Sequence, residues 1–214
     1  MSRLFAEHEA MTTGLAALYL PHPARVTDAA VRLTDGTTLD ADAVLIAAGV
    51  RPNTGLAEQA GLAVGDGVLV DRHLRTSDPD IFAAGAAAAA VDHPLLHARV
   101  RVEHWANALN AGPVAARAML GQDVQWDALP YFFTDQYDLG MEFVGDITGY
   151  DRVVFRGDVQ GREFIAFWLK GGTVVAGMNV NVWDVNDTLR SLIGTTPDVD
   201  RLADPDVDLT ALAG

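Results

Sequence analysis

Two short segments of this sequence carry side chains suited to holding a flat, electron-rich ligand. One is Glu103-His104-Trp105, which stands at the predicted start of a helix, and the other is the aromatic run PYFFTDQY over residues 130–137. A helix N-terminus directs unpaired N–H groups toward electron-rich atoms, and aromatic side chains pack against planar rings. From spacing alone, a domain interface with an aromatic core explains these residues at least as well.

A third candidate follows the apolar run ADAVLIAAG over residues 41–49, which predicts a strand buried on both faces. Arg51 and Pro52 come directly after this strand, where the chain turns with a fixed proline angle. Open α/β folds bind their ligands at the carboxyl ends of strands, so both residues are candidate binding residues. A simple strand exit followed by a turn is the alternative.

A metal site is the next possibility, because histidines and acids cluster between residues 92 and 104. The set comprises Asp92, His93, His97, Glu103 and His104. Imidazole and carboxylate suit several divalent ions, but a proline at position 94 breaks the register between the first two histidines. We therefore expect surface or capping histidines and no metal.

Composition excludes several classes of chemistry. The 214 residues include no cysteine, which removes disulfides, thiolate nucleophiles and Cys-ligated clusters. The three serines lie outside any GxSxG motif, so serine hydrolysis is set aside. Fifteen Lys and Arg against 29 Asp and Glu give a net charge of −14, which repels phosphate backbones and anionic membranes. No apolar run reaches about 18 residues, so we expect a cytoplasmic protein without nucleic-acid or membrane partners.

The helix that would position Trp105 is predicted over residues 105–120. Apolar and small residues recur at intervals of three and four, which predicts one buried stripe. The stripe comprises Trp105, Ala108, Leu109, Gly112, Ala115, Ala116 and Met119. A proline inside a helix costs about 3 kcal/mol, so we expect a kink or a break at Gly112-Pro113.

The other elements are mostly short strands and turns. Residues 31–39 predict a hairpin around Asp35-Gly36, residues 68–70 predict a strand, and residues 80–90 predict a strand that breaks at Gly85. Further strands are predicted over 141–145, 152–156, 163–169 and 173–179, the last two joined by a hairpin at Gly171-Gly172. Asp184 or Asn186 is expected to cap a helix over 189–193.

The order of several sequence blocks resembles one protein family. The blocks are GVRPNTGLAEQAGL, GVLVDRHLRTSDPDIFAAG, VEHWANALNAG, PYFFTDQYDLGMEFVG and VVFRGD. Together they are similar to the C-terminal half of the FAD-dependent NAD(P)H:ferredoxin and rubredoxin reductases, which are related to apoptosis-inducing factor. The resemblance runs from about Ser2 to Ile193.

The resemblance implies an α/β remnant of a FAD/NAD(P)-binding domain, followed by an α+β C-terminal reductase domain. The first covers residues 1–121 and the second residues 122–197. An acidic tail over 198–214 follows, and we expect it to pack through Leu202, Leu209 and Leu212.

The resemblance also implies roles for individual residues. Trp105 falls where the family makes a backbone contact to the edge of the flavin ring, and Phe133 where a Trp or Phe lies beside that ring. Arg51 and Pro52 fall near the flavin. Glu103 is the polar group at the helix start. For a new ligand in the same cleft, Glu103 and His104 are candidates for acid–base work.

Two departures from the family argue against FAD binding by this chain alone. The sequence contains no GxGxxG, so both phosphate-binding fingerprints are missing. The family's AAGD motif supplies an aspartate to the FAD ribityl and phosphate region, but here Gly85 is followed by Ala86. A methyl cannot accept hydrogen bonds, so we expect weak or absent FAD binding.

Three functions stay open at this point. The first is a reductase fragment that passes electrons from NAD(P)H through FAD to a ferredoxin or rubredoxin, with a complementary half-reductase chain or a second copy completing it. The second is a non-catalytic binding or assembly module. The third is a new small-molecule site in the emptied flavin cleft, lined by residues that include Trp105, Phe133 and Trp183.

Overall fold

The computed structural model describes residues 23–26, 30–40, 42, 49–87, 91–93, 96 and 98–213. These residues belong to two compact units, one ending at Val50 and one beginning at Arg51. Most of the strand predicted over 41–49 lies outside the described residues. The domain limits predicted at 121 and 197 stay predictions. No described helix is long and apolar enough to cross a membrane.

The described part of the first unit is a three-stranded antiparallel sheet. It consists of β1 (Pro23–Val26), β2 (Ala30–Leu33) and β3 (Thr38–Asp40), in the order β1-β2-β3. The predicted hairpin is confirmed, since β2 and β3 pair across Asp35-Gly36. The backbone N–H of Thr37 donates to Asp35, and this bond holds the pKa of that carboxyl below its usual value.

The second unit opens with short elements around one long helix. They are α1 (Gly55–Gln59), the hairpin of β4 (Val64–Gly65) and β5 (Gly67–Val68), the hairpin of β6 (Val91–His93) and β7 (Ala98–Val100), and α2 (Trp105–Met119). The predictions for residues 68–90 are partly wrong. Strand β5 ends at Val68, and within the described part of 80–90 the strand is reduced to a single bridge between Arg75 and Phe82.

Helix α2 forms where predicted, but the side that is buried is not the predicted one. It runs through Pro113 without interruption, so a break at this residue does not occur. Its buried residues are Ala111, Val114, Ala115 and Ala118, and the first three pack in a core with Val70 and Leu74. Of the predicted stripe only Ala115 is buried, whereas Trp105, Leu109 and Met119 are exposed. The helix is apolar on two sides, and the core takes the side that carries alanine and valine.

The segment after α2 is fixed to this first core. The Trp126 side chain packs against the core cluster, and the backbone N–H of Trp126 donates to the carbonyl of Arg72. His73 Nδ1 lies 2.8 Å from the carbonyl oxygen of Val124, and His93 Nε2 lies 2.9 Å from that of Asp127. The connecting segment therefore follows a defined path into the next sheet.

A five-stranded antiparallel sheet follows this segment and forms the centre of what we call the sheet domain, residues 131–213. Its strands are β8 (Tyr131–Gln136), β9 (Leu139–Gly145), β10 (Arg152–Asp158), β11 (Glu163–Lys170) and β12 (Thr173–Val180), in the order β10-β11-β12-β9-β8. The four predicted strands and the hairpin at Gly171-Gly172 are confirmed. Strand β8 was predicted only as an aromatic cluster.

Three short helices complete the sheet domain. They are α3 (Asn186–Leu192), α4 (Val199–Ala203) and a 3₁₀ helix (Leu209–Leu212). The predicted side-chain cap of α3 is wrong, because Val185 occupies the N-cap and makes no side-chain bond.

The last described residues are part of the core of the sheet domain. The expected packing of Leu202, Leu209 and Leu212 is confirmed, because all three are buried against the sheet. The Arg156 guanidinium donates to the carbonyls of Asp204, Pro205 and Val207 and so fixes the segment between α4 and the 3₁₀ helix. Burial holds the pKa of Arg156 below its usual value.

Candidate functional site

The start of α2 is fixed by its own side chains. His104 is the N-cap in extended conformation, and its Nδ1 accepts a hydrogen bond from the Ala106 N–H at 3.3 Å. Asn107 donates from Nδ2 to the carbonyl of Val102 at 3.0 Å. The expectation of a capping histidine is confirmed for His104. The helix start, with its positive end of the dipole, is therefore held in one orientation.

Strand β8 brings two of its aromatic rings to this helix start. The rings of His104 and Phe133 lie 5.0 Å apart, edge to face, and those of Trp105 and Phe133 lie 6.3 Å apart. Tyr131 joins them at 6.3 Å from His104. We call His104, Trp105, Tyr131 and Phe133 the aromatic cluster. The sequence alone therefore located residues that meet in the fold.

The alternation of a strand divides the aromatic run between two faces. Phe132 points away from the aromatic cluster and stacks on Phe143 at 4.8 Å between ring centroids. Trp105 remains 59% exposed and Phe133 37% exposed. The aromatic cluster thus presents accessible ring surface, as a wall for a planar ligand requires.

Arg101 connects the helix start to two neighbouring loops. Its guanidinium donates to Glu103 at 2.8 Å, to Asp66 at 3.0 Å and to the carbonyl of Ala86 at 3.3 Å. The hydrogen bonds to the two carboxylates raise the pKa of Arg101 above its usual value. Glu103, a candidate for acid–base work, is therefore engaged in an ion pair.

The Gly85-Ala86 turn lies against the first turns of α2. Gly85 has a φ of +88°, and a Cβ on it would stand 3.4 Å from the Cβ of Ala108. Glycine adopts this backbone conformation without strain, which allows the close approach. The structure therefore brings six of the eight predicted binding residues together. They are Gly85, Ala86, Glu103, His104, Trp105 and Phe133.

The other candidates lie elsewhere. Among the described residues, no hydrogen bond, ion pair or ring contact joins Arg51 or Pro52 to the aromatic cluster. His93 is 2% exposed, so the expectation of a surface histidine is wrong at that position. Within the described ranges no three His, Asp or Glu side chains are grouped as metal ligands, and His97 lies outside them.

A partly buried polar network that involves the Tyr131 hydroxyl was not predicted. The Tyr131 hydroxyl donates to Glu142 at 2.7 Å, and Asn179, which is fully buried, donates to the second carboxylate oxygen at 3.1 Å. Burial, followed by the hydrogen bond to Glu142, raises the pKa of Tyr131 to about 12. The available signal was Asn179, the one amide in the apolar strand β12. Arg101 offered no comparable signal.

The site fits one part of a flavin dinucleotide better than the other. Accessible rings beside a helix N-terminus suit a planar, electron-rich ring system. At the Gly85-Ala86 turn, a methyl and the Arg101 guanidinium stand beside Asp66 and Glu103, so the anionic groups nearby do not favour phosphate. The described residues therefore form a wall for the ring and no cradle for the pyrophosphate.

Comparison with known families divides the chain into two matched regions. Residues 8–112 match the pyridine nucleotide-disulphide oxidoreductase family, and residues 131–213 match the reductase C-terminal domain. The aromatic cluster draws its helix residues from the first match and Tyr131 and Phe133 from the second.

Similar proteins include several ferredoxin reductases. The chain is 40% identical over 184 residues to the ferredoxin reductase subunit of 5,5'-dehydrodivanillate O-demethylase from Sphingobium sp. strain SYK-6, covering 85% of this chain and 45% of that one. It is 38% identical over 207 residues to the ferredoxin–NAD(+) reductase component of the anthranilate 1,2-dioxygenase system of Burkholderia cepacia, with 94% and 51% covered. The chain thus spans about half the length of these relatives.

Solved structures give the same result. The ferredoxin reductase for the CYP199A2 system of Rhodopseudomonas palustris matches with a TM-score of 0.79 and 34% identity, over 90% of this chain and 48% of that one. Putidaredoxin reductase in its covalent complex with putidaredoxin matches with a TM-score of 0.77 and 36% identity, over 86% and 44%. The chain therefore contains a region that matches the pyridine nucleotide-disulphide oxidoreductase family, followed by a reductase C-terminal domain, and the relatives that it matches are ferredoxin reductases.

Proposed function

We propose that this chain is the ring-binding half of an NAD(P)H-dependent flavoprotein reductase that serves a ferredoxin or rubredoxin in the cytoplasm. The observation that carries the proposal is the contact of His104 and Trp105 with Phe133, which joins the helix start to the sheet domain. It builds one wall from two separately matched regions of the chain. FAD, when bound, would accept hydride from NAD(P)H and release single electrons to the acceptor.

The residues of this chain would position the flavin ring rather than react with it. Trp105 and Phe133 would bound the ring and exclude water, and His104 would hold the helix N–H groups toward its electron-rich edge. Arg101 would act as a positioning residue, because it holds Glu103 and the Ala86 carbonyl at the same corner. None of these side chains needs to gain or lose a proton in this arrangement.

The phosphates of the cofactor would have to be held by a second polypeptide segment. The sequence has no GxGxxG, and it spans about half of the relatives it matches. We therefore propose that a complementary half carrying the glycine-rich βαβ unit completes the protein, and that this chain alone binds FAD weakly.

The exposed side of α2 supports this proposal and indicates where the complementary half would dock. Trp105, Leu109 and Met119 are each about 60% exposed, and Gly112 and Ala116 lie between them on the same side of the helix. We call these five residues the α2 stripe. Small residues in the middle of an apolar stripe permit close packing of another backbone. Because it has a helical period yet remains exposed, the α2 stripe suits a protein partner.

Reconstitution tests this function. The chain would be mixed with FAD, with and without the N-terminal half of the anthranilate 1,2-dioxygenase reductase component, and bound flavin absorbance measured after gel filtration. We expect a colourless chain alone and a yellow complex with the complementary half. Stoichiometric FAD on the chain alone would contradict our claim that the chain lacks a phosphate-binding site. Colourless protein in every mixture would contradict the reductase function.

Two variants sharpen the test in the reconstituted complex. Ala86→Asp restores an acceptor where the family has one, and a charge-assisted hydrogen bond of about 1.5–3 kcal/mol corresponds to roughly tenfold or tighter FAD binding. Phe133→Ala removes ring surface and should weaken FAD binding, while Phe155→Ala, at an exposed phenylalanine on β10, serves as its control.

Ala86 also favours a second candidate function, a non-catalytic assembly module. The polar group that the family offers to the cofactor is absent at this position, whereas the apolar α2 stripe is retained. Light scattering distinguishes the two. A stable homodimer that is blocked by Leu109→Asp and takes up no flavin in any mixture would support assembly, and a monomer would contradict it.

A further inference from the structure

A cavity of about 600 Å³ is lined by two members of the aromatic cluster, Tyr131 and Phe133. Its apolar lining consists of Tyr131, Phe133 and Trp183 together with Met141. Tyr131 and Phe133 alternate on β8, so both rings reach the same face of the sheet. Trp183 comes from the loop between β12 and α3. Aromatic residues from two elements, β8 and this loop, therefore line one space.

Trp183 is held in place although it is 55% exposed. Its indole lies directly on the backbone of Gly140, where an added Cβ would stand 2.2 Å from a ring carbon. Asn181 fixes the loop, since its Oδ1 accepts from the Gly140 N–H at 2.8 Å and its own N–H donates to the Gly140 carbonyl at 2.9 Å. The contact with Gly140 and the hydrogen bonds of Asn181 therefore hold this exposed indole in one position.

The polar residues around the cavity are mostly acids. Asp135, Glu142, Asp184 and Asp187 line it together with Asn186, and its described lining includes no Lys, Arg or His. Among the described ion pairs, none involves these four acids. The nearby Arg190 guanidinium lies 5.0 Å from the Tyr131 ring centroid and donates to Asn186. The cavity therefore combines aromatic surface with negative charge.

We propose that this cavity binds a methylated ammonium group. Aromatic faces attract cations, and quaternary ammonium ligands are commonly held by two or three rings with nearby carboxylates. Phosphate would be repelled by the same four acids, so the cavity is not a seat for the dinucleotide. A free small molecule and a methylated lysine of a protein both carry this group. We infer the small molecule, because a volume of about 600 Å³ lies within the range of small-molecule sites.

The test uses the full chain and two probes, choline and Nα-acetyl-trimethyllysine amide. Isothermal titration calorimetry gives the affinity, and the indole N–H resonances of the four tryptophans report the location. We expect choline to bind and to shift the resonance of Trp183, whereas its neutral carbon isostere, 3,3-dimethylbutan-1-ol, should bind at least tenfold more weakly. Binding of the lysine probe alone would overturn the free small molecule as source.

Variants separate the cavity from the general negative charge of the chain. Trp183→Leu and Asp184→Asn should each weaken choline binding at least fivefold, and Gly140→Ala should do so by displacing the indole. Phe155→Leu and Asp200→Asn, an exposed aromatic residue on β10 and an exposed acid on α4, should leave it unchanged. If choline fails to bind, or binds equally to Trp183→Leu and wild type, the proposal is wrong.

Discussion

Helix α2 and the C-terminal sheet use apolar residues in opposite ways. In the sheet, Leu169 is 1% exposed and belongs to a core closed by α3, α4 and the 3₁₀ helix. On α2, Leu109 is 59% exposed, although its spacing is that of a buried stripe. The sheet domain therefore satisfies its apolar pattern within the chain, whereas α2 carries a second apolar side that the described residues do not cover. A hydrophobic period indicates a surface that gets buried, but not by which polypeptide.

The largest expected effect is the difference in unfolding free energy between two leucine-to-alanine variants. Leu169→Ala leaves a cavity in a closed core and should cost about 2–5 kcal/mol of unfolding free energy. Leu109→Ala, on the α2 stripe, should cost less than about 0.5 kcal/mol in the chain alone. Urea unfolding of both variants measures the difference. A large loss for Leu109→Ala would mean that the stripe is already covered within this chain.

The next effect concerns the closure of the sheet domain. Arg156 donates to three backbone carbonyls, and lysine has no planar fork with which to replace all of them. Arg156→Lys should lower the unfolding free energy by about 2 kcal/mol, roughly the net value of one or two charge-assisted hydrogen bonds. Arg152→Lys, on the same strand, is the control and should change it little.

A glycine on the α2 stripe should give a smaller effect of opposite sign. An added Cβ at Gly112 meets no atom within 4 Å, and Gly to Ala in a helix interior stabilises by about 1 kcal/mol. We expect Gly112→Ala to raise the melting temperature of the chain while weakening its complex with the complementary half. An unchanged complex would show that the partner does not approach the α2 stripe closely.

The smallest effect depends on pH. The pKa of Tyr131 is raised to about 12 in the folded chain, from an ordinary value near 10. A raised pKa means that the contribution of the neutral hydroxyl to stability is complete below about pH 10 and is lost as the pH rises toward 12. Urea unfolding at rising pH should therefore show a steeper alkaline loss for wild type than for Tyr131→Phe. Parallel curves would contradict the raised pKa.

Sequence patterns predicted the sheet domain well and the surroundings of α2 less well. Strands β9 to β12 are long and rich in β-branched and aromatic residues, and Gly171-Gly172 permits a tight hairpin between two of them. In α2, alanines occupy both sides, with Ala111 and Ala118 on the buried side and Ala108 and Ala116 on the exposed side, so the period alone could not distinguish the two sides. The strand prediction for residues 80–90 failed because alanine and glycine carry little information about strands.

The candidate site could be predicted in part, for a definable reason. His104 and Phe133 were identified by residue type, and the fold brings their rings to 5.0 Å. The links from Arg101 to Asp66 and Ala86 join positions far apart in sequence, and no local pattern indicates such pairs. The same holds for Glu142 and Asn179, whose bond depends on the register of β9 and β12.

The anchoring of the connecting segment has a practical consequence for chimeras between relatives. Val124 and Asp127 are bonded to His73 and His93, and Trp126 packs among the residues that support α2. A crossover placed right after the helix would pair a foreign connector with these histidines. A junction at Pro130, immediately before β8, keeps the connector with its native anchors and transfers the sheet domain as one piece.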